Sequence, residues 1–128
     1  MAKGIWRLTV RSDFAAAHAL RNYNGKCENI HGHNFAVEAV IEGDKLSGDV
    51  EILLDFKIMK TELKDVLELL DHKDLNCTPP FDSMNPSSEN LARFIYQELE
   101  KRLEAHGVRV YSITVSEKAA QSATYLEL

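Results

Sequence analysis

Residues 31–41 read His-Gly-His-Asn-Phe-Ala-Val-Glu-Ala-Val-Ile, and the alternation within this stretch decides the fold class. Apolar residues occupy every second position, namely Phe35, Val37, Ala39 and Ile41. That period is typical of a strand with one buried face. Residues 6–10 alternate in the same way, and continuing their parity places four further residues on one face, namely Ser12, Phe14, Ala16 and His18. The sequence therefore predicts two half-buried strands in its first third.

The remaining elements follow from spacing and from turn or capping residues. We predict a third strand over 50–56, a helix over 56–70, a helix from Ser87 or Ser88 to about Gly107, a strand over 108–117 and a short strand near Tyr125. This order predicts an α+β fold, in which two helices cover one face of an antiparallel four-stranded sheet. Such a sheet has exposed edges, and association of subunits is one way to cover them.

The composition is that of an ordinary globular protein, with 128 residues, 45% of them hydrophobic and 27% charged. This length predicts a single domain over residues 1–128. The formal net charge of −5 argues against nucleic acid as a partner. No apolar run approaches the roughly 20 residues that cross a bilayer, and the N-terminal residues lack a signal-peptide core, so we expect no membrane partner and a cytoplasmic location.

The segment Cys27-Glu28-Asn29-Ile30-His31-Gly32-His33 carries the strongest chemical signal. Histidines two apart in an extended chain project to the same side, about 7 Å apart at the backbone. A hairpin would bring His18, at the end of the first strand, beside them. Three imidazoles suit zinc and leave a fourth position for water or substrate. The sequence therefore predicts a Zn²⁺ site made of His18, His31 and His33.

Two other interpretations of this segment remain open. A His-x-His pair in a strand is also found as a solvated polar face without metal. Alternatively, Cys27 is a fourth ligand, which would close the tetrahedron and make the zinc structural.

Three further groups are candidates for proton transfer or binding. Asp71 next to His72 would orient that imidazole for acid–base work, although a histidine near a helix C-terminus is also favoured by the helix dipole. Glu117 has the parity of Tyr111, Ile113 and Val115, so its carboxylate either needs a partner on the apolar side or lies in solvent beyond the strand. Cys77, in a proline-rich loop, is expected to be incidental.

These residues occur together, and in this order, in one known family. The motifs are His18 after an alanine run, Cys27 with His31-Gly32-His33, Leu70-Asp71-His72 with Leu75-Asn76, Asn85-Pro86-Ser87-Ser88-Glu89, and Glu117. The chain resembles the 6-pyruvoyltetrahydropterin synthase / 6-carboxytetrahydropterin synthase family over nearly its whole length. The resemblance implies the tunnelling fold, three subunits that close a barrel, two trimers that form a hexamer, and active sites between subunits.

The resemblance also implies a substrate and roles for the residues. The substrate would be the small molecule 7,8-dihydroneopterin triphosphate, with Cys27 as general base and with His72, held by Asp71, exchanging protons on the other side. Glu117 would bind the amidine edge of the pterin, and Ser88 with Glu89 would help to seat the ring. Lys26, Lys73 and Lys118 are unranked candidates for the triphosphate.

The product is left open among three family activities. The short chain is most similar to members that release acetaldehyde and triphosphate and form 6-carboxytetrahydropterin for the queuosine pathway. Mammalian-type members form 6-pyruvoyltetrahydropterin. A third group has a glutamate three residues before the His-Gly-His motif, the position of Glu28 here, and cleaves the side chain to give 6-hydroxymethyldihydropterin; the alternative for Glu28 is a solvated loop residue. A non-catalytic oligomeric binding module with structural zinc is the fourth hypothesis.

Overall fold

The computed structural model describes residues 2–25 and 29–128. Its elements within these residues are β1 Trp6–His18, β2 His31–Gly43, α1 Phe56–Leu67, β3 Lys73–Asp74, α2 Ser88–Leu103, β4 Arg109–Lys118 and β5 Gln121–Tyr125. The sheet has the order β3-β1-β2-β4-β5. The four longer strands are antiparallel, and the two-residue β3 runs parallel to β1. The predicted α+β architecture is confirmed, with β3 as a fifth strand.

The two alternating stretches pair with each other over their full length. The register runs from Trp6 opposite Gly43 to His18 opposite His31. Phe14 stacks on Phe35 at a centroid separation of 4.9 Å, and both rings are buried. The predicted inward face is confirmed for Phe14, Ala16 and His18, whereas Ser12 is exposed. This register places the histidines of both strands at the same end of the sheet.

Both helices lie on one face of the sheet, and side chains cap their first turns. The Asp55 carboxylate accepts a hydrogen bond from the Lys57 N–H, and the Ser87 hydroxyl accepts one from the Asn90 N–H. Their buried faces complete one core with the sheet; the largest of these side chains are Met59, Leu63, Leu91, Ile95, Leu99 and Leu103. The first helix ends at Leu67, three residues earlier than predicted, and a single 3₁₀ turn over 104–106 follows the second.

The predicted strand over 50–56 is wrong. Backbone hydrogen bonds join Ser47 to Glu51 and to Ile52, which closes a turn, and Glu51 has a positive φ of 60°. Asp55 already caps the first helix. Only residues 52–54 remain between the turn and the cap, and they pack as a loop instead of pairing in the sheet. Their apolar side chains produced the misleading strand pattern.

A β-bulge in β4 makes the predicted facing of Tyr111 wrong. The pairing with β2 shifts register between Val40 and Ile41, opposite Ser112 and Val110. A bulge inserts one residue and reverses the facing of the chain beyond it. Val110 is therefore buried together with Ile113, while Tyr111 lies on the opposite face with the Arg7 guanidinium 3.5 Å from its ring centroid. Tyr111 does not share the face of Ile113, as its parity predicted.

Neither described helix combines the length and the apolarity that crossing a membrane requires.

Candidate metal centre and ligand cavity

Three imidazoles converge where β1 ends and β2 begins. His18 and His31 are directly opposite each other in the register, and His33 follows on the same side of β2. The ring centroids are 4.6 Å apart for His18 and His31, 4.7 Å for His31 and His33, and 5.7 Å for His18 and His33. The structure thus brings together the three predicted metal ligands.

Backbone carbonyls fix the tautomers of two of these rings. Nδ1 of His18 lies 2.8 Å from the Pro86 carbonyl oxygen, and Nδ1 of His31 lies 2.7 Å from that of Asn29. A carbonyl only accepts, so each Nδ1 carries a proton, and Nε2 is the nitrogen of each ring that is left to bind a metal ion. Metal-binding histidines usually donate their second N–H in this way. The fully buried His18 also has its pKa lowered, mainly by burial, which favours the neutral ring.

The Glu117 carboxylate joins the three histidines. Its Oε1 atom lies 3.2 Å from His18 Nε2, and its Oε2 atom lies 3.3 Å from His33 Nε2. Of the two positions that the parity of Glu117 left open, the structure places its carboxylate on the apolar side, beside the histidines. The contact with His18 lies within ion-pair distance but lacks hydrogen-bond geometry, and the buried His18 Nε2 makes no hydrogen bond to the described residues.

This donor set fits a divalent cation. One ligand atom from each of the four side chains lies within 4.8 Å of all the others. Imidazole nitrogens and a carboxylate oxygen are ligand atoms that such an ion accepts, and a buried, unpaired polar atom such as His18 Nε2 is costly unless something satisfies it. A metal ion at that point satisfies them together.

A polar network, missed by sequence analysis, holds the loop that orients His18. The amide of Asn76 pairs with the Ala19 backbone, accepting from its N–H at 2.8 Å and donating to its carbonyl at 3.0 Å. Asn85 pairs in the same way with the Arg21 backbone. The Arg21 guanidinium donates to three loop carbonyls, those of Asn76, Phe81 and Met84. Hydrophobic periodicity does not predict hydrogen bonds between a side-chain amide and the backbone, although Asn76 and Asn85 belong to motifs that support the family resemblance.

A cavity of about 300 Å³ adjoins the metal centre, with Glu117 in its wall. Ser88 and Glu89, at the start of α2, also line it. These are the three residues that the resemblance implies for ring binding, and the structure places them around one space. Sequence analysis did not identify two further lining residues, Tyr23 and Gln121.

Asp71 and His72 form the predicted pair, and neither of them lines the cavity that contains Glu117. Asp71 accepts a hydrogen bond from the Ala15 N–H at 2.9 Å, and His72 Nδ1 lies 2.8 Å from its other oxygen. The Ala15 bond, followed by the contact with His72, holds the pKa of Asp71 below its ordinary value. His72 adopts a left-handed backbone with φ of 58°, and its side chain is 82% exposed. The alternative of a simple helix-terminal histidine does not account for this carboxylate pairing.

The Asp71–His72 pair opens onto another cavity, of about 560 Å³ along β1 and β2. His72 lines it together with Ala15, Ala17 and Gly32, and the candidate metal ligand His33 lines it as well. The described lining of the cavity that holds Glu117 does not include His72. One subunit therefore does not bring this pair to its own ring cavity.

Three of the predicted site residues, Lys26, Cys27 and Glu28, lie outside the described residues. Cys77 is exposed, with its sulfur 3.6 Å from Asp74 Oδ2. Lys73 and Lys118 are exposed at the ends of β3 and β4.

Comparison with known proteins adds independent information. Residues 7–127 match the family described as 6-pyruvoyl tetrahydropterin synthase. A 6-carboxy-5,6,7,8-tetrahydropterin synthase of Synechocystis is 31% identical over 125 residues, covering 94% of this chain and 93% of that protein. A dihydroneopterin monophosphate aldolase of Pyrococcus furiosus is 36% identical over 97 residues, covering 76% and 77%. The solved 6-pyruvoyl tetrahydropterin synthase of Caenorhabditis elegans superposes with a TM-score of 0.87 at 25% identity over both whole chains, so the tunnelling fold is confirmed.

Proposed function

Because the chain belongs to the 6-pyruvoyl tetrahydropterin synthase family, we propose that it is a zinc enzyme forming 6-carboxy-5,6,7,8-tetrahydropterin. The substrate is 7,8-dihydroneopterin triphosphate, which takes up one water and releases acetaldehyde and triphosphate. The observation that carries the proposal is the convergence of His18, His31 and His33 beside a cavity walled by Glu117. Nitrogen-rich ligation in a small cluster favours zinc over magnesium or calcium.

The cavity beside the metal centre binds the pterin ring. Glu117 accepts hydrogen bonds from the amidine-like N–H pair of the ring, a charge-assisted pairing that fixes its orientation. Ser88 and Glu89 provide further polar contacts from the first turn of α2. The three-carbon side chain of the substrate then points to the histidines. When bound there, zinc supplies Lewis-acid polarisation of the side-chain oxygens.

Proton transfer is assigned to Cys27 and to the Asp71–His72 pair. Cys27 acts as a base in its thiolate form, and His72 exchanges protons with the other side of the substrate. Asp71 accepts from His72 Nδ1, so it fixes which ring nitrogen faces the substrate. Because neither Asp71 nor His72 lines the ring cavity of its own subunit, we assign the pair to the centre of a neighbouring subunit, in line with the hexamer that the resemblance implies.

A complementation experiment tests this division between subunits. His31→Ala removes a metal ligand, and His72→Ala removes the proton-transfer group. If they act at one site from two subunits, a mixed and reassembled sample regains activity although each variant alone is inactive. Failure of well-mixed, folded hetero-oligomers to regain any activity contradicts the assignment to neighbouring subunits.

A second candidate activity is cleavage of dihydroneopterin to 6-hydroxymethyldihydropterin. Glu28 favours it, because it precedes His31 by three residues, and a relative named as an aldolase is 36% identical. In this activity Glu28 replaces Cys27 as the principal base. The two activities use the same metal centre and the same ring cavity.

Product identification with zinc-loaded protein separates the candidates. We expect the wild type to form acetaldehyde and the carboxylated pterin, Cys27→Ala to be folded, zinc-loaded and inactive, and the matched control Cys77→Ala to keep full activity. Loss of 6-hydroxymethyldihydropterin in Glu28→Ala would support the second activity. Loss of zinc and fold in Cys27→Ala would support a structural site instead, and absence of any turnover by the zinc-loaded wild type contradicts both enzymatic hypotheses.

A further inference from the structure

An exposed apolar patch lies where β1 begins and α1 begins. Four of its side chains, those of Trp6, Leu46, Ile52 and Phe56, line a cavity of about 320 Å³. Each of the four is between 37% and 49% exposed. Contiguous apolar surface of this kind marks a contact with another molecule more often than scattered apolar residues do. We call these four residues the Trp6 patch.

A row of lysines continues this surface along α1. Lys57, Lys60 and Lys64 are three and four residues apart, so their side chains lie on one side of the helix. Phe56 of the Trp6 patch precedes Lys60 by four residues and lies on the same side. All three lysines are exposed, and no ion pair within the described part of the chain includes them. The row is therefore a basic surface without an intramolecular counter-charge.

The lysine row faces away from α2. The other flank of α1 carries Glu62 and Asp65, whose carboxylates lie 3.7 Å and 3.6 Å from the Arg102 guanidinium of α2. Beneath α1, residues 6–15 of β1 have β2 on one side and no strand of the described chain on the other, because β3 covers only the two residues after them. The lysine row and the Trp6 patch thus border an unpaired sheet edge, which favours association.

The opposite edge of the sheet carries a complementary surface. Among the described strands β5 pairs with β4 alone, and Tyr125 packs on Tyr96 of α2 with ring centroids 5.1 Å apart. Three carboxylates are close together here, because burial raises the pKa of Glu100 and the charges of Glu127 and Glu104 raise it further. These five residues form a surface with two aromatic rings and several acidic groups, which we call the acidic flank.

The two surfaces lie at the same level of the sheet. Glu100 accepts a hydrogen bond from the Val110 N–H at 3.3 Å, and Val110 is opposite Ile41. Ile41 is in turn opposite Leu8, which lines the cavity of the Trp6 patch. The strands also match in direction, since β1, β2, β4 and β5 alternate. In one continuous antiparallel sheet, β5 of one copy can therefore lie beside β1 of the next, with the helices of both copies on the same face.

Charge decides between the possible arrangements of two copies. A contact of the Trp6 patch with itself brings two rows of lysines together, whereas a contact with the acidic flank brings lysines to carboxylates. We propose that the Trp6 patch and the lysine row of one copy dock against the acidic flank of a second copy. The apolar side chains form the dry centre of this contact, and Lys57 and Lys60 with the carboxylates form its polar rim.

This contact is head to tail, so it leaves no free surface only when the copies close into a ring. Because the rim consists of exposed charges, the strength of association depends on ionic strength. The inference goes beyond the proposed function, because it depends neither on the metal nor on the reaction.

Trp6 is the only tryptophan of the chain, so its fluorescence reports directly on the patch. We expect the wild type to sediment as an oligomer in which acrylamide quenches Trp6 poorly. Phe56→Glu is expected to dissociate the oligomer, to move the Trp6 emission to longer wavelength and to increase quenching. Ile58→Glu is the matched control, because Ile58 is 38% exposed on the other flank of α1, beside His106, and should keep the wild-type behaviour. Circular dichroism checks that each variant is folded, and Phe56→Ala replaces Phe56→Glu if the latter is not.

A charge exchange tests the rim. Replacing Lys57 and Lys60 by glutamate is expected to weaken association by at least about tenfold at low salt, and replacing Glu104 and Glu127 by lysine is expected to do the same. The variant that carries all four substitutions should regain most of the association, because every contact then has its charges exchanged but still opposite.

Three results would overturn the inference. One is a wild type that stays monomeric at high protein concentration. Another is an oligomer in which acrylamide quenches Trp6 as strongly as in the dissociated Phe56 variant, because the patch is then uncovered. The third is a fourfold charge variant that associates no better than the two variants from which it is built, which would assign the lysine row to a different partner surface.

Discussion

Asn76→Ala is expected to destabilise the metal-free protein by about 2 to 4 kcal/mol. The Asn76 amide makes two hydrogen bonds to the backbone of Ala19, at 2.8 Å and 3.0 Å. A typical hydrogen bond contributes about 1 kcal/mol net, which gives about 2 kcal/mol for the pair. Ala19 is only 7% exposed, so its freed N–H and carbonyl are poorly rehydrated, and unmet buried groups add to the loss.

The same substitution is expected to weaken zinc binding by about tenfold or more, as the loss of outer contacts to metal ligands does elsewhere. Ala19 directly follows His18, and the Asn76 loop leads to Pro86, whose carbonyl fixes the tautomer of His18. Loosening this junction leaves His18 less well aimed, although no ligand is removed.

Equilibrium denaturation with chelator present, at one fixed protein concentration, measures the first effect, and competition with a coloured chelator measures the second. Asn34→Ala, which changes an exposed asparagine in β2, is the matched control. A loss of stability no greater than that of the control would refute the energetic argument. A normal zinc affinity in a clearly destabilised Asn76→Ala protein would refute the link to His18.

Three other predictions test separate parts of the molecule. Zinc at about 1,000 times its Kd is expected to raise the free energy of unfolding by about 4 kcal/mol, and His31→Ala but not His106→Ala should abolish this gain. Tyr96→Phe removes a buried hydrogen bond to the Val110 carbonyl and should cost about 1 kcal/mol in denaturant unfolding. Burial raises the pKa of Glu100 above 4.5. Its contribution to the free energy of unfolding is therefore full below pH 4.5 and is lost as the pH rises through the raised pKa. Glu100→Gln should flatten this pH dependence of the free energy of unfolding, and an unchanged dependence would contradict the argument.

Much of the fold was predictable because its long strands each have one buried face. The alternation in β1 and β2 fixed their existence, their facing and the approach of His18 to the His31–His33 pair. The predicted α1 and α2 were also correct in place, since their apolar spacing coincides with caps at Asp55 and Ser87.

The errors arose where local pattern and tertiary pairing disagree. Residues 50–56 are as apolar as a strand, but a turn with Glu51 at positive φ and the Asp55 cap leave too few residues to pair. Tyr111 obeys alternation by counting, yet the bulge in β4 turns it to the other face. A bulge and a two-residue strand such as β3 depend on neighbours distant in sequence, so no local period reports them.

The candidate site shows the same division between local and distant information. The histidines were identifiable because their spacing and strand parity place three similar groups on one side. The partner of Glu117 was not identifiable, because parity states only that its carboxylate faces inward and says nothing of what it meets there. Contact with His18 and His33 depends on the β2–β4 register, which pairs Ala36 with Ser116 next to Glu117. The pairing of β4 with β2 thus determines that Glu117 contacts His18 and His33. The same position places the Glu117 carboxylate beside the metal centre and in the wall of the ring cavity.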